Sequence, residues 1–325
     1  MTSRRLLLAA AAIAPFTRSA LAQAPAQAPA MPTPGKRAWA SEVPNLRIGV
    51  LGGETESERL GRYEGYRKLF EDTFQVPTRL YFASDYGGVA QAFGAKQLEI
   101  ANMSPAIYAA TWMDTNGGVE PILVTRERDG STSYIAVMYT RADSGITSLE
   151  QMKGHSIAWA DPNSASGYLI PRAELRAAGI DPEPGKFFSR TGFAGGHDQG
   201  LVAVLQKQYD AGVTWASGQG EESQGYTRGV LRAAVEKGML DMKDLRIIWK
   251  SRPIQNGPIV VRKDLPDAFK KDMVDFHLAL PAAYPEIHKA VERGSAVGWA
   301  PTRHEDYAVF VDMRKAEAAQ RRRRD

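Results

Sequence analysis

The chain has 325 residues, no cysteine and a formal net charge of +4. Without cysteine it forms neither disulfides nor thiolate metal sites, so its stability must come from a large core. Without the three arginines of residues 1–22 and without residues 321–325, 34 basic residues stand against 36 acidic ones, and this nearly neutral body excludes a general nucleic-acid-binding surface.

The first 22 residues have the pattern of an export signal. Arg4 and Arg5 precede a short apolar stretch, residues 6–16, and small residues at 20 and 22 form a cleavage site. The stretch is shorter than the roughly 20 residues that span a bilayer, and no cysteine follows to carry a lipid. The pattern predicts a periplasmic protein cleaved after Ala22 or Ala24, exported by either the general or the twin-arginine route.

The segments next to the two ends lack the pattern of a core. Residues 23–40 are rich in Ala and Pro and predict a leader, whereas residues 316–325 contain four consecutive arginines, at 321–324, and predict a basic tail.

The first half of the remaining chain alternates predicted strands and helices. Strands are predicted at 46–51, 78–82, 100–101 and 121–125, and helices at 57–74 and 86–96. A charged turn follows at 126–130. Alternation of this kind predicts a mainly parallel sheet that is covered by helices on both faces.

The second half also alternates predicted strands and helices, and its last strand leads the chain back to the first lobe. Strands are predicted at 134–139, 156–159, 211–215, 245–249 and 258–261, with helices at 168–178 and 196–207. Residues 266–314 are helix-rich, with a turn at 298–301. We therefore predict an α/β fold of two lobes, residues 41–134 with 254–315 and residues 135–253, joined by two strand crossings in the venus-flytrap (type II) manner. A ligand is then expected between the lobes.

Residues 161–167, Asp-Pro-Asn-Ser-Ala-Ser-Gly, are the most informative segment. They join a predicted strand to a predicted helix, and Ser164 or Ser166 can cap that helix. Unpaired N–H groups and the helix dipole attract an anion at such a turn, and the two hydroxyls can donate further hydrogen bonds. The segment predicts a site for a tetrahedral oxyanion, with an ordinary capped turn as the alternative.

The blocks DPNSASGYLIP, GFAGGHDQGLVAV, DAGVTW, IIWKSRPI and NGPIVV, in this order, resemble the phosphonate-binding proteins of phosphonate ABC transporters. The resemblance extends over residues 45–301. It implies a two-lobed periplasmic binding protein that captures phosphonates, phosphite or related anions.

The resemblance also implies ligand contacts. The positions that match the family's contacting residues, or that lie beside them in the turn or at the first crossing, are Thr55, Tyr86, Tyr134, Asn163, Ser164, Ala165, Ser166 and His197. At Ala165 the family often has threonine, so one hydroxyl is lost and only the backbone N–H remains.

Two departures concern the substituent on the ligand. Relatives that bind aminoethylphosphonate hold its ammonium with acidic residues, which align near Ser217 and at Gly257, and a further tyrosine of theirs aligns near Met103. None of these positions is charged here. The resemblance therefore implies methylphosphonate, phosphite or phosphate rather than an aminophosphonate.

Three functions are compared. The first is a non-enzymatic binding protein that delivers its anion to an ABC-transporter permease, and the second is a periplasmic oxyanion sensor for a two-component histidine kinase. The third, a hydrolase using His197 with Asp198 or Asp161, is disfavoured because no nucleophile elbow and no metal-ligand spacing is present. We expect no cofactor, no metal and no nucleic-acid partner.

Overall fold

The computed structural model describes residues 29–52, 56–83, 85–294 and 296–322. Its strands are β1 (Leu46–Val50), β2 (Thr78–Phe82), β3 (Ile100–Asn102), β4 (Val119–Arg126), β5 (Ser133–Arg141), β6 (Ser156–Trp159), β7 (Arg190–Phe193), β8 (Ala211–Ala216), β9 (Leu245–Lys250), β10 (Ile254–Gln255), β11 (Pro258–Arg262) and β12 (Gly298–Pro301). Its helices are α1 (Glu56–Phe74), α2 (Tyr86–Gly94), α3 (Pro105–Asp114), α4 (Ile170–Ala177), α5 (His197–Leu205), α6 (Val230–Glu236), α7 (Asp267–Ala283), α8 (Pro285–Glu292) and α9 (Ala308–Arg322).

The first sheet has the order β12-β4-β11-β3-β1-β2. Strands β1, β2 and β3 are parallel, whereas β11 runs antiparallel to β3 and β4. Helices α1, α7 and α8 pack on one face around Phe70, Phe74 and Phe276, and α2, α3 and α9 pack on the other face. Cover on both faces explains why the central strands are almost wholly apolar.

The second sheet has the order β10-β5-β8-β6-β7, and β9 also pairs with β5. Strands β6, β7 and β8 are parallel, and β5 is antiparallel to β8, β9 and β10. Helices α5 and α6 lie against β8, and α4 follows β6. The parallel strands end at the same edge, and β6 and β8 therefore deliver their following loops to the same side of the sheet.

The chain crosses between the sheets twice, at 127–132 and at 256–257. This confirms the two-lobed fold, with one difference from the expectation of mainly parallel sheets. Both sheets are mixed, because the strands beside the crossings, β5 and β11, run antiparallel to their neighbours. The exact lobe boundaries that the sequence suggests stay a prediction.

The prediction of a turn at 298–301 is wrong. These residues form the edge strand β12, which pairs with β4. Gly298 and Pro301 suggested a turn. At a sheet edge, however, Pro301 can have its missing N–H on the side without a partner, so proline is compatible with a strand there.

The helix predicted at 168–178 begins earlier. Residues Ala165–Leu169 form a single π-helical turn that continues into α4, and Ser164 is the N-cap. The helical structure therefore begins at residue 165, three residues before the predicted start at 168.

Other elements carried too short or too weak a pattern to be predicted. These are α3, α6, β7 and β10. In addition, the segment assigned to a basic tail continues α9 as far as Arg322. The predicted export signal at 1–22 lies outside the described residues. None of the helices described here is long and apolar enough to cross a membrane.

Candidate functional site

A cavity of about 170 Å³ lies between the two sheets. From the first lobe it is lined by Val50, Leu51, Gly52, Arg62, Tyr63, Tyr86, Asn102, Met103, Ser104, Pro105, Thr125, Val291, Glu292 and Arg293. From the second lobe and the returning crossing it is lined by Tyr134, Ser164, Ser166, His197, Asp198, Trp215, Arg228, Asn256 and Gly257. The cavity therefore lies where the sequence placed the ligand, at the ends of strands and the starts of helices.

The turn at 161–167 forms one wall of this cavity. The Ser164 hydroxyl accepts a hydrogen bond from the N–H of Gly167 at 2.9 Å, which caps the helix. Asp161 stabilises the start of the turn, because its carboxylate accepts a hydrogen bond from the N–H of Asn163 at 2.6 Å. The first N–H groups of the helix, at Ala165 and Ser166, have no carbonyl one turn earlier within the helix, so they are free to bind an anion.

Gly167 is required by packing rather than by an unusual backbone angle. A Cβ atom at this position would lie 2.5 Å from the Ala160 Cβ, 2.8 Å from the His197 Cε1 and 2.8 Å from the Ser164 Oγ. Real Cβ atoms do not approach other atoms so closely, so the absence of a side chain allows the turn to close against α5.

His197 lies behind the turn at the start of α5 and is buried. Its Nε2 is 3.0 Å from the Ser164 Oγ and its Nδ1 is 3.3 Å from the Thr214 Oγ1. Burial lowers the pKa of His197 to about 4, against an opposing effect of Asp198. The imidazole is therefore neutral at pH 7, and both of its nitrogens already contact hydroxyl groups.

Two tyrosines complete this part of the cavity wall. Tyr86 begins α2, whose N-cap is Asp85, and its ring centroid is 6.4 Å from that of His197. Burial raises the pKa of Tyr86 far above its usual value, so the phenol keeps its proton. Burial also raises the pKa of Tyr134 to about 12, while Ser166 lowers it. The tyrosines and serines therefore offer hydroxyl groups without any formal charge.

Of the residues singled out from the sequence, the structure brings Tyr86, Tyr134, Ser164, Ser166 and His197 together around the cavity. Their contacts with a ligand stay a prediction.

The other three candidates have different positions. Asn163 is not among the described residues that line the cavity, and its Oδ1 accepts from Arg314 of α9 at 2.9 Å, across the cleft. Ala165 lies within the turn, and its side chain is fully buried. Thr55 lies outside the described residues.

A group of charged residues also lines the cavity, and none of its members was predicted from the sequence. Arg228 is buried, makes a short salt bridge with Glu127, and lies 4.9 Å above the ring of Trp215. Its Nη2 also donates to the Asn256 Oδ1 at 3.1 Å. Glu292 is the next carboxylate, with its Oε2 3.5 Å from Nη1 of Arg228. No local signal could have found this group, because its members come from distant segments.

The two lobes are also joined by ion pairs across the cleft. Arg293, at the end of α8, binds Asp198 of α5 with two hydrogen bonds of 2.8 and 3.2 Å. Lys237 binds Glu58 of α1 at 2.7 Å. These contacts hold the cavity closed. No cluster of three or more possible metal ligands is found in the part of the chain that the structure describes.

A family model described as the periplasmic substrate-binding protein of phosphonate ABC transporters matches residues 48–307. The chain belongs to this family. It is 28% identical over 277 residues to the phosphonates-binding periplasmic protein of Escherichia coli (strain K12), covering 83% of this chain and 75% of that protein. It is 25% identical over 260 residues to the phosphate-import protein PhnD of Mycolicibacterium smegmatis, covering 78% of this chain and 76% of that protein.

Solved structures show the same fold. PhnD1 from Prochlorococcus marinus (MIT 9301), in complex with methylphosphonate, matches with a TM-score of 0.71 at 17% identity, over 84% of this chain and 98% of that chain. The predictions of a two-lobed fold and of a substrate-binding protein of the phosphonate transport family are thus confirmed. The family is a periplasmic transport component, not a class of enzyme, and nothing in these relatives favours the sensor hypothesis.

Proposed function

We propose that this member of the phosphonate-binding family captures a small phosphorus oxyanion (a phosphonate, phosphite or phosphate) and delivers it to an ABC-transporter permease. The observation that carries this proposal is the capped turn at 161–167, whose free N–H groups and hydroxyls line a cavity closed between two lobes. The predicted signal at 1–22 supports export to the periplasm, where such proteins work.

The anion would bind through neutral donors. Ser164 accepts from the N–H of Gly167, and its hydroxyl is 3.0 Å from Nε2 of His197, whose ring also hydrogen-bonds the backbone of Val213. In the tautomer whose Nε2 carries the proton, Nε2–H donates to Ser164 and the proton of the Ser164 hydroxyl is available to the ligand. His197 accordingly orients Ser164 instead of contacting the anion as a cation.

The number of donors is sufficient for tight binding. Ser164, Ser166, Tyr86 and the N–H groups of Ala165 and Ser166 make five, each worth about 1.5–3 kcal/mol to a charged acceptor. Micromolar to nanomolar binding takes roughly 8–12 kcal/mol, which remains within reach after the cost of ordering the site.

Closure would link capture to delivery. The pairs Arg293–Asp198 and Lys237–Glu58 join the lobes, so they form only when the cleft is shut. Hinge closure around a ligand buries the anion away from water and creates a two-lobed surface that a permease can distinguish from the open form.

A small substituent without positive charge is favoured. The hydroxyl of Ser217 is engaged by Thr227 at 2.9 Å, and a Cβ at Gly257 would lie 1.9 Å from the carbonyl oxygen of Met103. Position 257 therefore has no room for a side chain. The acidic residues that line the cavity, Asp198 and Glu292, each face an arginine. We expect methylphosphonate to bind more tightly than aminoethylphosphonate in a competition titration.

Calorimetry on the mature protein tests the proposed function. We expect the wild type to bind methylphosphonate, phosphite or phosphate, and the double variant Ser164→Ala, Ser166→Ala to lose at least about a hundredfold in affinity, since two hydrogen bonds to a charge are removed. Ser223→Ala, at an exposed serine, is the matched control. Unchanged affinity in a folded double variant would remove the turn from the site.

A further inference from the structure

Glu292 is a buried carboxylate at the wall of the anion-binding cavity. It is the last residue of α8, it is 3% exposed, and it lines the same cavity as Ser164 and Ser166. Its Oε1 has no hydrogen-bond partner within bonding distance among the described residues, and its Oε2 lies 3.5 Å from Nη1 of Arg228. A buried carboxylate with so few partners is unfavourable unless something else donates to it.

Arg228 cannot supply that donor fully, because another carboxylate holds it more closely. Glu127 is completely buried and receives Nη2 of Arg228 in a short contact and Nε at 3.4 Å. The side-chain oxygen of Asn256 accepts a hydrogen bond from the same guanidinium, and its amide nitrogen donates to Glu127 at 3.1 Å. Two buried carboxylates thus share one guanidinium, and Glu292 is the one held less closely.

The other groups around Glu292 do not balance its charge. His288, one turn earlier on α8, is neutral at pH 7 because burial lowers its pKa to about 4. Arg293, the next residue, is paired with Asp198. Burial raises the pKa of Glu292, whereas Arg228 and the neutral side chains of Thr125 and Trp299 lower it. The cavity is the side from which a further donor can come.

We propose that Glu292 selects oxyanions that still carry one proton, by accepting a hydrogen bond from the P–O–H group of the ligand. This inference rests on the proposed function. The serine turn binds the ionised oxygens, and Glu292 receives the single proton, so that one proton is shared between carboxylate and ligand. Phosphonates, phosphite and phosphate retain such a proton near neutral pH. Sulfonates and sulfate are fully ionised, so they meet Glu292 with two acceptors facing each other and are rejected.

The variant Glu292→Gln tests this selection, with methylphosphonate and methanesulfonate as probes of matched shape. In calorimetry at pH 7 we expect the wild type to bind methylphosphonate at least about a hundredfold more tightly than methanesulfonate, because a site with an unmatched acceptor discriminates strongly. In Glu292→Gln the amide can donate, so methanesulfonate should gain and methylphosphonate should lose about tenfold each. An unchanged ratio in a folded variant would overturn the inference.

Glu286→Gln is the matched control, because Glu286 lies on the same helix and is exposed. Its ratio of the two affinities should equal that of the wild type. If Glu286→Gln shifts the ratio as much as Glu292→Gln does, the effect comes from the net charge of the lobe and the assignment to Glu292 is wrong.

Proton uptake in the wild type supplies a readout that does not depend on a variant. At a pH above the second ionisation of free methylphosphonate, binding should take up about one proton from the buffer, which calorimetry in two buffers of different ionisation enthalpy measures. Zero uptake would contradict the shared proton. Uptake that persists undiminished in Glu292→Gln would belong to another group at the cavity, such as His197 or Asp198, and would overturn the inference.

The outcomes also separate this inference from the proposed function. If the wild type binds none of methylphosphonate, phosphite and phosphate, the proposed function fails. If it binds methylphosphonate and methanesulfonate equally well, the function stands and only the role of Glu292 fails. If aminoethylphosphonate binds more tightly than methylphosphonate and loses that advantage in Glu292→Gln, Glu292 holds an ammonium, which contradicts the assignment to P–O–H.

Discussion

One part of the cavity wall offers neutral polar groups that come mostly from one short turn, whereas another part is charged and its residues come from segments far apart in the chain. The turn presents hydroxyls and N–H groups of Ser164 and Ser166, backed by a neutral His197. The charged part combines Arg228 with Glu127 and Glu292. Both groups line one cavity, but the first consists of neutral hydrogen-bond donors and the second of buried ion pairs.

The two groups therefore contribute differently to ligand affinity and to the stability of the fold. Neutral donors at a helix start can bind an anion without any buried cation, so the apo turn pays no desolvation penalty for charge. A buried ion pair gains little stability over an apolar pair, but it becomes very costly when one partner is removed. We therefore expect changes at the charged part to affect folding first, and changes at the turn to affect binding first.

The largest effect should follow from Glu127→Ala. This change leaves Arg228 buried with only the more distant Glu292, and breaking a buried ion pair costs about 3–5 kcal/mol. The free energy of unfolding, from urea denaturation, measures it. Glu221→Ala, at an exposed residue, is the control and should change little. A loss below about 1 kcal/mol in Glu127→Ala would show that the charged part does not support the fold.

The second prediction concerns the neutrality of His197. Its pKa is about 4 in the folded protein and about 6.5 when unfolded, so between these values the unfolded state binds the proton and the folded state does not. Stability should therefore fall as the pH drops from about 6.5 to 4, by on the order of 3 kcal/mol from this residue alone.

The variant His197→Gln cannot titrate and should make that acid loss of stability shallower, as seen in denaturation series at several pH values. His155→Gln, at a half-exposed histidine, is the control. The same neutrality implies that anion affinity gains nothing from His197 around pH 6.5. A variant whose stability falls as steeply as the wild type would mean that His197 is not held neutral by burial.

Of the three changes, Gly167→Ala should have the smallest effect on stability. Its effect on ligand binding should exceed its effect on stability. The added Cβ would meet the Ala160 Cβ and the Ser164 Oγ, so the turn must shift, at a cost of about 1–3 kcal/mol. Affinity for methylphosphonate should drop because the helix start moves away from the anion. Gly61→Ala in α1 meets no atom within 4 Å and should be neutral or slightly stabilising. Normal binding in Gly167→Ala would contradict the close packing of this turn.

Much of the fold followed from local patterns. The periodicity of apolar residues predicted α1 over 57–74, where the structure has Glu56–Phe74, and strand β6 at its observed bounds. Short elements such as α6 and β10 escaped, since a few residues carry too little periodicity to stand out from loops.

The sequence by itself determined the capped turn at 161–167, because helix capping depends on neighbouring residues and Ser164 and Gly167 are only three positions apart. Only the tertiary structure decided the rest of the site. Glu127 and Arg228 are separated by 101 positions, and Glu292 reaches the same arginine from another helix. Their pairing depends on how the crossings bring the two sheets together, and no local rule for charge or periodicity encodes that approach.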